Sequence, residues 1–168
     1  MSGAAPSAPG AEELRAALDK LAIDELHSRY TLALNWQDAD AVADTFASDG
    51  VLDWVGGVIE GRETIRREVQ GMRAFFGKAE AADAPLRPAR LRHFVTNKII
   101  RVEGDTARTI GYWFELNNDN RLRWPYVGAY GHYEDELVRL SEGWRFKRRT
   151  IFNEQMEERY GPAEMPDF

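Results

Sequence analysis

The second half of the chain, from Leu91 to Phe152, is a succession of long alternating segments broken only by turn residues. Leu91–Val102, Thr106–Leu116, Trp124–Leu140 and Trp144–Phe152 alternate apolar and polar positions. Between them stand Glu103-Gly104-Asp105, the polar cluster at 117–121 and Ser141-Glu142-Gly143. A period of two marks strands with one face buried, and short turns between such strands predict an antiparallel meander. The first half has the other period. From Glu12 to Ala33 the apolar residues Leu14, Ala17, Leu18, Leu21, Ile23, Leu26, Tyr30 and Ala33 recur in three- and four-residue steps. That spacing predicts an amphipathic helix, or two helices with a bend near Leu21. Asp38 or Asp40 is placed to cap a short helix over Ala41–Phe46. Ser48-Asp49-Gly50 reads as a turn, and Gly56-Gly57 as the tip of a hairpin joining Val51–Val55 to Val58–Glu60. A third helix opens at Gly61 with Ile65, Val69, Met72, Phe75 and Phe76 on its apolar side. Residues 77–90 read as a polar, Ala- and Pro-rich loop. Helices first and strands afterwards give an α+β class. The expected architecture is a curved mixed or antiparallel sheet wrapped around three N-terminal helices, leaving a conical central pocket.

The chain has 168 residues, enough for one domain. The reading assigns 1–11 to a disordered tail, 12–153 to the folded domain, and 154–168 to a tail packing over the surface or pocket. A net charge of −6 argues against nucleic acid, whose phosphates need a basic face. With no cysteine, disulfides and thiolate chemistry are excluded. No apolar run approaches the roughly 18 residues of a membrane span. The first ten residues lack the basic start and apolar core of a secretory signal. The expected location is therefore the cytoplasm, without a membrane partner.

Five Trp, six Tyr and eight Phe are many for this length, and flat apolar ligands stack on such rings. Trp54, Trp113, Trp124 and Tyr126 fall in strand segments and are candidate pocket walls, with core packing as the plain alternative. Trp113 shares its parity with Glu115, Gly111 and Thr109, and Gly111 removes a side chain from that face. Arg149, in the last strand, and Arg123 are candidate anchors for a phenolate or carboxylate. His93 titrates near neutrality and suits proton transfer. His27 reads as a surface or interface residue. Glycine-rich phosphate loops, paired metal-binding histidines and a nucleophile elbow are all missing, so neither a metal nor a cofactor is expected.

Six short pieces point further. They are Ile23-x6-Tyr30, Phe46-Ala47-x-Asp49-Gly50-Val51, Gly61-Arg62-x2-Ile65, Arg92-His93-x2-Thr96-Asn97, Gly131-x-Tyr133-x-Asp135 and Gly143-Trp144-Arg145-Phe146-x2-Arg149. Their order and spacing resemble the SnoaL-like branch of the NTF2-like superfamily. That branch includes scytalone dehydratase, bile-acid 7α-dehydratase, polyketide cyclases and cofactor-free lyases of lignin-derived diaryl compounds. Related folds also serve as steroid isomerases, binding modules and dioxygenase small subunits, so the resemblance does not by itself fix a function.

The resemblance implies that His93 is the catalytic histidine, with Tyr30 facing the same pocket. It makes Tyr133 a recurrent family position, and it implies an aromatic or polycyclic substrate and a homodimer or homotrimer. Where relatives carry an aspartate to pair with the histidine, this chain has Asn35. An amide orients an imidazole but brings no charge. Three explanations follow: another acid, Glu115 or Asp53, takes over; Asn35 binds a substrate oxygen while Tyr30 or an arginine handles charge; or chemistry has been lost and binding remains. The expected site is thus His93, Tyr30 and Asn35 for chemistry, with Trp54, Trp113, Glu115, Trp124, Tyr126, Tyr133 and Arg149 for substrate. The expected function is a cofactor-independent lyase or dehydratase, with a binding module and an isomerase or cyclase as alternatives.

Overall fold

The computed structural model describes residues 8–80, 91–118, 120, 122 and 124–166, and for 73–80 the backbone alone. The start of the expected N-terminal tail, most of the expected loop, Arg123, and the side chains of Phe75 and Phe76 lie outside the described residues.

The first helix, α1 (Ala11–Trp36), is one continuous helix through Leu21. Its sequence is rich in Ala, Leu and Glu and holds no Gly or Pro, so nothing interrupts the backbone ladder. It stops at Gln37, whose backbone turns left-handed at φ 56°. Asp38 then caps α2 (Ala39–Ala43), accepting the Ala41 N–H at 3.0 Å. This helix is shorter than expected and ends before Phe46. The Thr45 carbonyl accepts the Phe146 N–H at 2.9 Å, which draws the chain into the sheet.

Strand β1 (Phe46–Trp54) runs through Ser48-Asp49-Gly50, so this segment is no turn. It is an irregular bulge. Against β6 (Gly143–Asn153), Phe46 pairs with Phe146 and Val51 already pairs with Arg148. Four residues of β1 thus oppose one of β6, and a Cβ on Gly50 would sit 3.0 Å from the Ala47 and Phe146 carbonyl oxygens. The expected hairpin to β2 (Gly57–Glu60) is present, with Gly57 at φ 105°. Helix α3 (Arg62–Glu80) reaches past 77, into the segment expected to be loop.

Strands β3 (Leu91–Glu103), β4 (Thr106–Asn117) and β5 (Tyr126–Leu140) complete a six-stranded sheet in the order β2-β1-β6-β5-β4-β3. The β1–β6 pair is parallel and every other pair antiparallel, so the sheet is mixed, curved and unclosed. Strands of this length twist enough to enclose a hollow face. The inner face packs on the helices through Ile23, Leu26, Val42, Ile65, Leu137 and Phe146. The C-terminal segment lies on the sheet's other side. Arg159 ties it down, with Nη1 on Asp53 Oδ1 at 2.9 Å and Nη2 on the Ile151 carbonyl at 2.7 Å. None of the described helices is long and apolar enough to cross a membrane.

Candidate active site

His93 stands on β3, the edge strand, directly opposite Glu115 of β4. Side chains facing each other across two strands project to the same side, here the hollow one. Helix α1 runs beside this open edge and inserts Asn35. The Asn35 Oδ1 accepts the His93 backbone N–H at 2.8 Å and lies 2.9 Å from His93 Nδ1. The backbone donor settles which end of the amide faces the strand. An oxygen can only accept, so Nδ1 carries the hydrogen and Nε2 holds the lone pair.

Nε2 in turn lies 3.4 Å from Glu115 Oε2. The pair is largely shielded from solvent, at 10% and 15% side-chain exposure. Burial and the charge of Arg149 depress the His93 pKa to about 4. At neutral pH the ring is therefore a neutral base, next to a carboxylate able to stabilise the imidazolium that proton uptake creates. Asn35 fixes the tautomer, and of the two candidate acids Glu115 is the one that stands beside the ring. Asp53, the other candidate, is bound to Arg148 and Arg159 instead.

Aromatic rings continue from this pair into the core. The His93 ring is 6.2 Å from Trp113, and Trp113 stacks on Tyr133 at 5.7 Å. Trp113 is fixed by its indole N–H, which donates to the Phe152 carbonyl at 3.0 Å. Tyr30 comes next, edge-on to Tyr133 at 6.5 Å and packed among Phe46 and Phe146. Burial raises both phenol pKa values, so Tyr30 and Tyr133 stay neutral.

Behind them lies a charged cluster that the sequence only hinted at. Arg149 is fully buried. Its Nε and Nη2 reach the two Asp135 oxygens at 2.8 and 2.9 Å. Tyr30, Tyr133 and Phe146 rings surround its guanidinium at 4.2, 4.3 and 3.9 Å. Burial works against its charge, but Asp135 outweighs it and the pKa is raised. Thr109 Oγ1 donates to Asp135 at 2.9 Å, so its one hydrogen is used and it must accept from His27 Nε2 at 3.1 Å. His27 Nδ1 is then free to accept from Arg149 Nη2 at 2.8 Å. Every role follows from the single hydrogen on Thr109.

His27 is thus a buried network residue, not the surface residue expected. Burial and Arg149 lower its pKa to about 3. Arg149 does face inward as expected, but it is enclosed and committed to Asp135. The inner parity of Asp135, between Tyr133 and Leu137, was the available signal: a buried acid at such a position requires a cation.

The remaining wall candidates lie apart from this ring series. Trp54 packs against the core beside the β1–β2 hairpin. Trp124 is 66% exposed ahead of β5, its backbone held by the Asn120 amide. Tyr126 pairs with Asn117 at the end of the β4–β5 ladder and is exposed. Gly111 makes room for Lys98, whose side chain a Cβ there would meet at 2.8 Å. A groove of about 380 Å³ between α1 and β3 reaches Asn35 and His93, flanked by Arg92 and Lys98. A larger hollow of about 570 Å³, bordered by Asp49, Arg108 and Lys147, holds none of the candidate site residues.

The sequence profile of the SnoaL-like domain matches residues 15–150. The chain belongs to the SnoaL-like family. Solved structures agree on the fold. An NTF2-like protein with a cystatin-like fold from Novosphingobium aromaticivorans is 24% identical at a TM-score of 0.72, covering 89% of this chain and 91% of its own. A Catenulispora acidiphila protein solved in complex with S-DNPA is 25% identical at 0.67, covering 83% and 96%. A second Novosphingobium aromaticivorans protein, described as a candidate scytalone dehydratase, is 20% identical at 0.66, covering 82% and 85%. At that identity the likeness concerns the fold alone. No curated protein matches this SnoaL-like chain in sequence.

Proposed function

We propose that this SnoaL-like domain is a cofactor-independent lyase of dehydratase type, acting on an aromatic or polycyclic small molecule. One observation carries the reading: His93 is fixed as a neutral base by Asn35, with Nε2 aimed at Glu115 and Trp113 alongside. In the proposed step, substrate entering by the groove between α1 and β3 gives a proton to His93 Nε2. The electron pair left behind forms a double bond and expels a hydroxyl group from the neighbouring carbon. Glu115 stabilises the imidazolium, which then returns its proton to the departing oxygen. General base catalysis of this kind contributes about 10²–10⁴-fold.

The binding-module alternative drew its support from the missing charge at Asn35, and Glu115 replaces that charge on the other ring nitrogen. Isomerisation or ring closure would use the same groups, so the products decide between them.

The test is turnover of aromatic alcohols, diaryl propanediols, steroids and polyketide-like phenols without added cofactor, by wild type, His93→Ala and Glu115→Gln. Activity in wild type that falls at least about 100-fold in His93→Ala, with ligand binding retained, supports the proposal. Equal binding in all three proteins with no turnover overturns it in favour of a binding module.

A further inference from the structure

The sheet departs from regular pairing at the residue opposite His93. Phe114 pairs with Tyr130, and Leu116 pairs with Val127. Between these rungs β4 supplies one residue, Glu115, while β5 supplies two, Gly128 and Ala129. Such a bulge takes backbone groups out of the ladder and re-aims them. The Ala129 N–H turns onto Glu115 Oε1 at 3.1 Å, and Asn117 Nδ2 donates to the same oxygen at 2.9 Å. Glycine at 128 permits this approach. A Cβ there would lie 2.6 Å from Glu115 Oε1 and 2.2 Å from Asn117 Nδ2. The C-terminal segment braces the bulge from the other side, with Gln155 Nε2 donating to the Gly128 carbonyl at 2.7 Å. One oxygen of Glu115 thus carries both donors. The other, Oε2, is the one turned to His93 Nε2.

We infer that the Gly128–Ala129 bulge and Asn117 form a carboxylate holder that fixes the orientation of the Glu115 carboxylate toward His93. The inference rests on the reading of His93 and Glu115 as the proton-transfer pair. The terminal torsion of a glutamate is broad, so an unheld carboxylate does not keep one oxygen aimed. Two donors on Oε1 remove that freedom, and the lone pairs of Oε2 stay directed at the imidazole. Gly128 and Asn117 are positioning residues, acting through Glu115.

Their variants should fold, because the atoms a Gly128 Cβ would meet are the far ends of two side chains and not backbone. Asn117→Asp keeps the shape of the side chain while exchanging a donor for a repelling oxygen, so it serves independently of how Gly128→Ala folds.

The experiment reads the ring nitrogens of His93 by ¹⁵N NMR in histidine-labelled full-length protein, without any substrate. Asn117→Asp and Gly128→Ala are expected to move the Nε2 signal in the direction that Glu115→Gln moves it, leaving the Nδ1 signal in place. With a substrate in hand, kcat should fall about tenfold or more while KM stays within about twofold, as for a misaimed group. An unmoved Nε2 signal in both variants overturns the holder, whatever the activity. Full kcat in Glu115→Gln overturns the proton-transfer pair instead, and the NMR result still decides the holder.

Discussion

Asn35 is the residue on which the meaning of the site turns. Its oxygen orients His93 without lending charge, and the low His93 pKa of about 4 follows from burial and Arg149. In the proposed reaction the neutral base is the active form, so kcat/KM should hold as pH falls through 6 and 5 and drop only toward 4. Asn35→Asp should change that. A carboxylate on Nδ1 favours the imidazolium, raises the His93 pKa, and moves the acid limb of the pH–rate profile upward. A limb that stays in place would mean that another group sets it. Arg149 offers a second test at this scale. Arg149→Met leaves Asp135 buried without its cation and should cost about 3–5 kcal/mol in denaturant unfolding. The double variant Arg149→Met/Asp135→Leu should recover most of it, because replacing both charges removes the uncompensated one. His93, Asn35 and Glu115 were legible in the sequence as separate candidates. Their arrangement was not, because it depends on which strand faces which.

At the scale of elements, periodicity, caps and turn residues located the six strands and three α-helices of the described residues, and failed where a local rule met a tertiary one. Ser48-Asp49-Gly50 has the residues of a turn, yet the parallel pairing of β1 with β6 carries the chain through as a bulge. The break near Leu21 did not occur, because helix-forming residues fill α1 on both sides of it. The bulge opposite Glu115 was illegible, since Gly128 next to Ala129 looks like any weak strand position. Strand β5 therefore holds two glycines with different duties. A Cβ on Gly131 would fall 2.1 Å from the Phe152 backbone oxygen, which cannot move without parting β5 from β6. Gly131→Ala should lower the melting temperature by several degrees or abolish folding, whereas Gly128→Ala should melt close to wild type. Equal melting of the two variants would contradict this assignment of roles.

The whole molecule keeps two histidines neutral in its interior, and this gives its stability a distinctive dependence on pH. His27 and His93 have native pKa values of about 3 and about 4, while an unfolded histidine titrates near 6.5. Below that value the unfolded chain binds protons that the native protein refuses, so acid favours unfolding. The stability these residues confer is complete above pH 6.5 and declines as pH falls toward 4 for His93 and 3 for His27. The slope approaches about 1.4 kcal/mol per pH unit for each histidine once the unfolded form is fully charged. Asp19, whose hydrogen bond from Arg139 lowers its pKa below the usual 3.8, adds its own loss only at still lower pH. The interval from pH 6.5 to 5 therefore isolates the histidines. Urea unfolding across it should show stability falling with pH in wild type, and about half that slope in His93→Gln, which keeps His27 and its network intact. A flat wild-type profile would mean that His27 and His93 accept protons in the native state, and the neutral-base assignment of His93 would fall with it.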